Sequence, residues 1–374
     1  MTAQMNNLKC TVALGLFLLA TNVQAQENVF SKKYIEQAML RAFSWQQAHP
    51  KHALNDWTNG AYYAGVTQAW KATKNKTYWN GLLEMGQKIG WNPGKRWYHA
   101  DDLVICMSFI EAYKTNKKMV DLGPTKTALD QCILYGDAQV WENPDLQNIT
   151  WWWCDALFMG PPVFVKFAAL QDNDIYLKAC DKWYKECYDQ LYDREEFLWA
   201  RDLAYKPKED GSGKTEQNGK KIFWSRGNGW VFGGLALLLE DMPENYPNRP
   251  FYEKIFVEMA AKLKSIQPED GAWRSSLLYP EGHTFGESSG TGFYVFGLAY
   301  GVRKGYLNAE TYLPAVKKGW KALLKNQQAD GMIGFVQPIG AAPSLQVNKD
   351  LWEVYGTGAF LCAGAEVIKL NLKD

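Results

Sequence analysis

The chain has 374 residues, 47% of them hydrophobic and 14% aromatic, enough to bury a large core. Its 41 basic side chains face 40 acidic ones, and no polybasic run breaks the balance. A neutral chain without a basic stripe excludes the electrostatic footprint of a nucleic-acid binder.

Residues 1–25 carry one charged side chain, Lys9, ahead of the apolar stretch Val12 to Ala20, and end on Val23-Gln24-Ala25. This is the pattern of a secretory signal peptide with a small-residue cleavage site. The stretch is too short to span a bilayer comfortably. Cys10 precedes it, whereas a lipidated cysteine would follow. An exported protein, periplasmic or secreted, is therefore expected, with no membrane anchor and a single mature domain over 26–374.

From there the chain alternates two kinds of predicted helix. Amphipathic, charged segments fall at 31–48, 77–90, 121–138, 174–191, 251–266 and 310–328. Over the fifth, apolar residues at 252, 255, 256, 259, 260 and 263 follow helical spacing. Between them lie Gly- and Ala-rich segments at 58–72, 100–114, 152–171, 227–241, 289–303 and 355–369. Each opens on a small or polar motif, such as Cys154-Asp155-Ala156-Leu157-Phe158 or Gly290-Thr291-Gly292-Phe293. A segment with so little polar surface must be buried, while its charged partner can face solvent. Six such pairs form a repeat array. The expected fold is all-α: an (α/α)6 barrel, six inner helices within six outer ones. Turns from inner to outer helices are short, whereas outer-to-inner connections such as 139–151, 192–226, 267–288 and 329–354 are long. Long connections in a compact domain carry function. The functional face is thus expected at the mouth where the inner helices begin.

Six cysteines remain beyond residue 25, five of them in apolar helical segments, and their spacing matches no zinc pattern. No histidine shows metal-ligand spacing either, so neither a metal nor another cofactor is expected. The aromatics are 17 Trp, 20 Tyr and 17 Phe. Trp57, Trp97, Trp153, Trp224 and Trp230 flank predicted helix starts, where a ring could stack on a sugar or simply fill a wide core.

Among charged residues, Asp101 and Asp102 open the second inner helix, where Asp is favoured as a cap. Asp155 follows three tryptophans and a cysteine. A carboxylate there is costly unless it has a task, and burial would raise its pKa toward that of a working acid. Arg226 enters the fourth inner helix between Trp224 and Trp230, where a guanidinium could hold a substrate carboxylate. Arg201 pairs with Asp202 or with substrate, Ser288 with neighbouring Glu287 is a hydroxyl donor or a cap, and His99 stands beside the acidic pair.

Trp57-Thr58-Asn59-Gly60, Ala100-Asp101-Asp102, Trp153 to Met159, Trp224 to Trp230, Ser276-Leu277-Leu278 and Glu287 to Gly290 together resemble the signature set of glycoside hydrolase family 105. That family contains the unsaturated rhamnogalacturonyl hydrolases and is related to the unsaturated glucuronyl hydrolases of family 88. The likeness spans nearly the whole mature chain. It implies an (α/α)6 barrel that removes a 4,5-unsaturated uronic acid, galacturonyl in the pectin-type reading, from fragments left by polysaccharide lyases. An Asp protonates C4, water adds at C5, the hemiketal opens and the next sugar leaves; no metal is required. Asp155 matches the catalytic acid and Asp102 its partner carboxylate, chosen over Asp101 because it directly precedes the apolar run. Trp57, Asn59, His99, Asp101, Trp153, Arg201, Trp224, Arg226, Trp230 and Ser288 form the expected substrate-binding set, although relatives often carry His at the position of Arg201. The alternatives are another barrel enzyme of carbohydrates, an inverting glycosidase or an epimerase, and a non-catalytic glycan-binding protein.

Overall fold

The computed structural model describes residues 28–96, 98–135, 150–208 and 212–372. The expected signal peptide, Trp97 and most of the 139–151 connection lie outside the described residues.

The outer helices are α1 (Lys32–Ala48), α3 (Lys76–Lys88), α6 (Gly123–Tyr135), α9 (Asp174–Leu191), α11 (Arg249–Ser265) and α13 (Ala309–Asn326). The inner rods are α2 (Trp57–Thr73), α4 with α5 (Ala100–Leu103, Cys106–Thr115), α7 with α8 (Ala156–Met159, Pro161–Gln171), α10 (Ser225–Asp241), α12 (Ser288–Lys304) and α14 (Val354–Leu370). Each inner rod packs on the next, and α14 returns to α2, so the ring closes. The fold is an (α/α)6 barrel. A two-residue hairpin, β1 (Tyr192–Asp193) with β2 (Leu198–Trp199), decorates the longest described mouth loop.

The Gly and Ala content of the inner rods has a steric cause. A Cβ on Gly65 of α2 would stand 2.2 Å from the Gly358 carbonyl oxygen of α14. The helices touch backbone to backbone there, and a larger residue would push the ring open. On the outer layer, the six apolar positions predicted for α11 are all buried.

Two inner rods depart from the predicted unbroken helices. Pro161 and Pro162 supply no backbone donors, so the third rod restarts after Gly160. Its first four expected residues form a turn instead, which leaves Asp155 immediately ahead of α7. The second rod is interrupted at Val104 and Ile105, which isolates the Asp101–Asp102 turn at its tip.

The end opposite the mouth is closed by charge. Lys166 of α8 is buried and binds Glu111 of α5 at 3.1 Å and Asp241 of α10, while Lys114 reaches Asp241 at 3.0 Å. These lysines hold both carboxyls below their ordinary range, against the opposing pull of burial. Groups with lowered folded pKa stabilise above the ordinary carboxylate range and lose that contribution as pH falls through the lowered values. Replacing Lys166 by Met leaves Glu111 and Asp241 with only the more exposed Lys71 and Lys114, and should cost about 1.5–3 kcal/mol at neutral pH. Urea denaturation measures it; a loss under ~1 kcal/mol would mean the cluster is effectively solvated.

Candidate active site

The mouth is built from the N-terminal tips of the inner rods and the long loops above them. Asp155 stands at the tip of α7 with its side chain 14% exposed. Its Oδ2 lies 3.5 Å from the Cys154 thiol and 3.7 Å from Arg201 Nε. Burial raises its pKa, and the charges of Arg201 and then Arg226 oppose the rise.

Asp101, the second residue of α4, is the carboxyl that faces it. Its pKa is pushed up to about 7, first by burial and next by the negative charge of Asp155. A carboxyl raised this far by burial and a charged neighbour holds a proton near neutrality beside a second carboxyl, the arrangement expected of acid–base chemistry. His99 caps α4, lies 3.6 Å from Asp101 and packs on the Trp153 ring at 4.7 Å. Burial and the nearby Arg96 push His99 down to about 4, so it stays neutral.

Asp102 turns the other way. It accepts from the Arg96 backbone N–H at 2.7 Å and from the Arg96 guanidinium at 2.6 and 3.0 Å. That pairing folds the 94–96 turn against α4 and takes Asp102 out of the mouth. The expected partnership of Asp102 with Asp155 is therefore corrected: by position and by charge the partner is Asp101. Adjacent helical residues diverge by about 100°, so one of the two had to point away.

Arg226 also takes a different place. It is 1% exposed, sandwiched between the Trp224 and Tyr355 rings at 4.5 and 4.8 Å, and donates to the carbonyls of Gln337 and Pro338 at 2.6 and 2.9 Å. Both Nη groups are occupied by the chain itself and only the buried Nε lacks a hydrogen-bond partner, so the structure gives Arg226 the work of a loop clamp in place of the expected bidentate hold on substrate. Gln337 is the hub of that clamp and carried no signal in the sequence, since it sits in a long irregular loop. It accepts from Arg226, Tyr355 and Trp224 and donates its backbone N–H to the buried Glu287 carboxylate. Changing Arg226 to Lys gives up the stacked plane and one of two charged hydrogen bonds. It should lower stability by about 2 kcal/mol together with kcat/KM. A full loss of kcat/KM at unchanged Tm would restore the anchoring role.

Three more expected contacts are occupied structurally. Asn59 donates to the carbonyls of Lys51 and Ala53, both at 2.9 Å. Ser288 donates to the Gly334 carbonyl and accepts from Asn326. Trp224 is spent on Gln337. Trp230 and Trp153 are buried in the floor, with the Trp230 Nε1 lacking a hydrogen-bond partner among the described residues. Trp57 is half-buried and stacked on Tyr355 at 5.5 Å. Arg201 is the cation that keeps an open edge: it is 20% exposed, lies 5.4 Å over the Trp152 ring and binds Asp202 at 2.6 Å. Asp155, Asp101, Arg201, His99 and Trp57 are thus the expected residues brought together at the mouth.

All six described cysteines are buried free thiols. Among the described residues no group of three or more His, Cys, Asp and Glu side chains is placed to hold a metal ion.

The sequence profile of Glycosyl Hydrolase Family 88 matches residues 28–371. The chain is 48% identical to an unsaturated 3S-rhamnoglycuronyl hydrolase of Formosa agariphila, over 90% of this chain and 91% of that one. A protein of the same name from an Alteromonas species is 32% identical over 84% of this chain and 78% of its own. A solved glycosyl hydrolase family 88 structure from Bacteroides vulgatus superposes with a TM-score of 0.81 at 28% identity, covering 91% of this chain and 99% of that one. The chain belongs to Glycosyl Hydrolase Family 88 and is an unsaturated uronyl hydrolase acting on oligosaccharides.

Proposed function

We propose that the substrate is a lyase-generated oligosaccharide in which a 4,5-unsaturated uronic acid is linked to rhamnose, and that the 3-sulfated rhamnose implied by the 3S in the relatives' names is the preferred leaving sugar. Lyase elimination flattens C4 and C5, the centres at which glucuronic, galacturonic and iduronic acids differ. The uronyl unit alone therefore cannot report its parent polymer, and selectivity falls to the leaving sugar. The observation that carries the reading is the Asp155–Asp101 pair beside Arg201.

In this reading Asp155 delivers a proton to C4, and positive charge develops at C5 with help from the ring oxygen. Water adds at C5 and yields its proton to the carboxyl pair, which restores the acid. The C5 hemiketal opens to a ketone, which leaves a hemiacetal at C1. That hemiacetal collapses to an aldehyde and releases the next sugar as its free alcohol. Trp57 supplies an apolar face for the ring.

The test is to supply unsaturated disaccharides ending in 3-sulfated rhamnose, plain rhamnose, galactosamine or glucosamine. The reading expects loss of the enol-ether ultraviolet absorbance in step with sugar release, one solvent deuterium at C4, and the highest kcat/KM with sulfated rhamnose. Release of the sugar with the chromophore intact would make the enzyme an ordinary glycosidase. Fastest turnover of a plain-rhamnose pectin fragment would move the substrate to rhamnogalacturonan. Exhaustive chelation should leave activity unchanged, because each step above uses only carboxyls and water; loss restored by calcium or zinc would contradict it. We further propose export with cleavage after Ala25, for which the start of the mature chain by mass spectrometry is the check.

A further inference from the structure

Arg201 occupies an unusual electrostatic position. Its Nη1 is fixed to the buried Asp202 at 2.6 Å, and its backbone carbonyl accepts from the Cys154 N–H at 2.8 Å. Its Nε is buried without a hydrogen-bond partner, 3.7 Å from Asp155 Oδ2, and its Nη2 makes no hydrogen bond among the described residues. The other cations near the carboxyls have less to offer: Arg226 gives both Nη groups to the 337–338 carbonyls and keeps only a buried Nε, and Arg96 is tied to Asp102. Arg201 is thus the guanidinium with a partly exposed edge to spare, and in the absence of substrate its charge is shared between Asp202 and Asp155.

We propose that Arg201 is a counter-ion that Asp155 surrenders to substrate: the uronate carboxylate takes the open edge of the guanidinium, and the proton that Asp155 must deliver is drawn onto it only once substrate is bound. The inference rests on the proposed function. Its balance is simple: one solvent proton enters with each bound uronate, no covalent bond changes, and the Arg201–Asp155 pair becomes an Arg201–uronate pair. Without substrate Arg201 opposes the burial that pushes Asp155 up; once the uronate takes the guanidinium that opposition is withdrawn and the acid is loaded.

The groups that face Asp155 are consistent with this exchange. They are Arg201 and Asp202 from the 192–224 loop, Arg226 from α10, Cys154 from its own turn, Cys187 from α9 and Asp101 from α4. Burial and the charge of Asp155 keep both thiols neutral. Asp101 is flanked by His99, Arg96 and Asp102, and His99 is neutral at working pH. The group left to titrate near neutrality is the Asp155–Asp101 pair, and the proton belongs to the pair. Arg201 is first among the charges that hold Asp155 down. Cancelling an opposite charge at this distance moves a carboxyl upward by about one to three pH units.

The experiment compares pH profiles of kcat and kcat/KM for the wild-type enzyme with an unsaturated uronyl-rhamnose and with its methyl ester. With the acid, the basic limb of kcat should lie about one pH unit above that of kcat/KM; with the ester the two limbs should coincide. In Arg201→Gln the basic limb of kcat/KM should rise toward the wild-type kcat limb. Coincident limbs with the acid substrate, an equal gap with the ester, or an unmoved limb in Arg201→Gln would each overturn the exchange. A catalytically competent Asp155→Asn would instead remove the proposed function itself, so the two failures are distinguishable.

Discussion

Asp155→Asn should lower kcat about a thousandfold or more, while the folded protein and its affinity for substrate persist. General acid–base groups contribute about 10²–10⁴ in rate, and Asp155 is assigned both the delivery to C4 and a share in recovering the proton from water. An amide keeps the planar shape and can still accept from the Cys154 thiol, which lies 3.5 Å from the native oxygen. It cannot pass a proton. Arg201 loses one counter-ion but keeps Asp202 at 2.6 Å, so the mouth does not collapse. The folded pKa of Asp155 is raised, so the wild-type carboxyl loses stabilisation as pH rises through that value. The amide variant is therefore expected to melt no lower than wild type above neutral pH. Single-turnover rates together with equilibrium binding of substrate to the variant separate chemistry from affinity. A kcat within tenfold of wild type would take Asp155 out of the reaction.

The architecture was legible because it is periodic. The alternation of charged and Gly/Ala-rich segments has one geometric solution, and residues such as Gly65 and Gly358 show why: the inner backbones touch. The mouth was legible from loop length, and Asp155 from a carboxylate in an apolar run. The rest depended on information that a linear pattern does not hold. Whether Asp101 or Asp102 faces the barrel axis depends on the phase at which α4 starts. That phase is set by the His99 cap and by the Arg96 turn. The task of Arg226 depends on a loop 111 residues further along, whose carbonyls take both of its Nη groups. In the sequence Arg201 reads as half of an adjacent ion pair or as a substrate contact; its edge toward Asp155 exists only because the 192–224 loop brings it over the tip of α7. Tip residues of helices are hard to orient from sequence for a general reason: a one-residue change in the start rotates the side chain by about 100°, and caps decide the start.

Asp101→Asn should cut kcat nearly as deeply as Asp155→Asn, and at the same time make the protein more stable above neutral pH. The catalytic half follows from the proton that Asp101 holds up to about pH 7 beside Asp155: Asp101 is placed to take the proton from the added water and return it, and an amide cannot do so. The stability half follows from linkage. The Asp101 carboxyl moves from an ordinary value of 3.8 to about 7 in the folded protein. A raised carboxyl contributes fully below its unfolded pKa, and that contribution is lost as pH rises through the folded one. The loss therefore develops between pH 3.8 and about 7, and the amide, which never ionises, escapes it. Three units would be worth about 4 kcal/mol; with the side chain 19% exposed, a gain of about 1–3 kcal/mol at pH 8 is expected. At pH 4 the two proteins should melt together. Asp102→Asn is the control with the opposite signature: it breaks the ties to Arg96, should destabilise by about 1 kcal/mol and should retain most of its kcat. Urea denaturation at the two pH values and steady-state kinetics on the three proteins decide the matter. If Asp102→Asn proves the more damaging to kcat, or if Asp101→Asn gains no stability at pH 8, the pairing across the mouth belongs to Asp102.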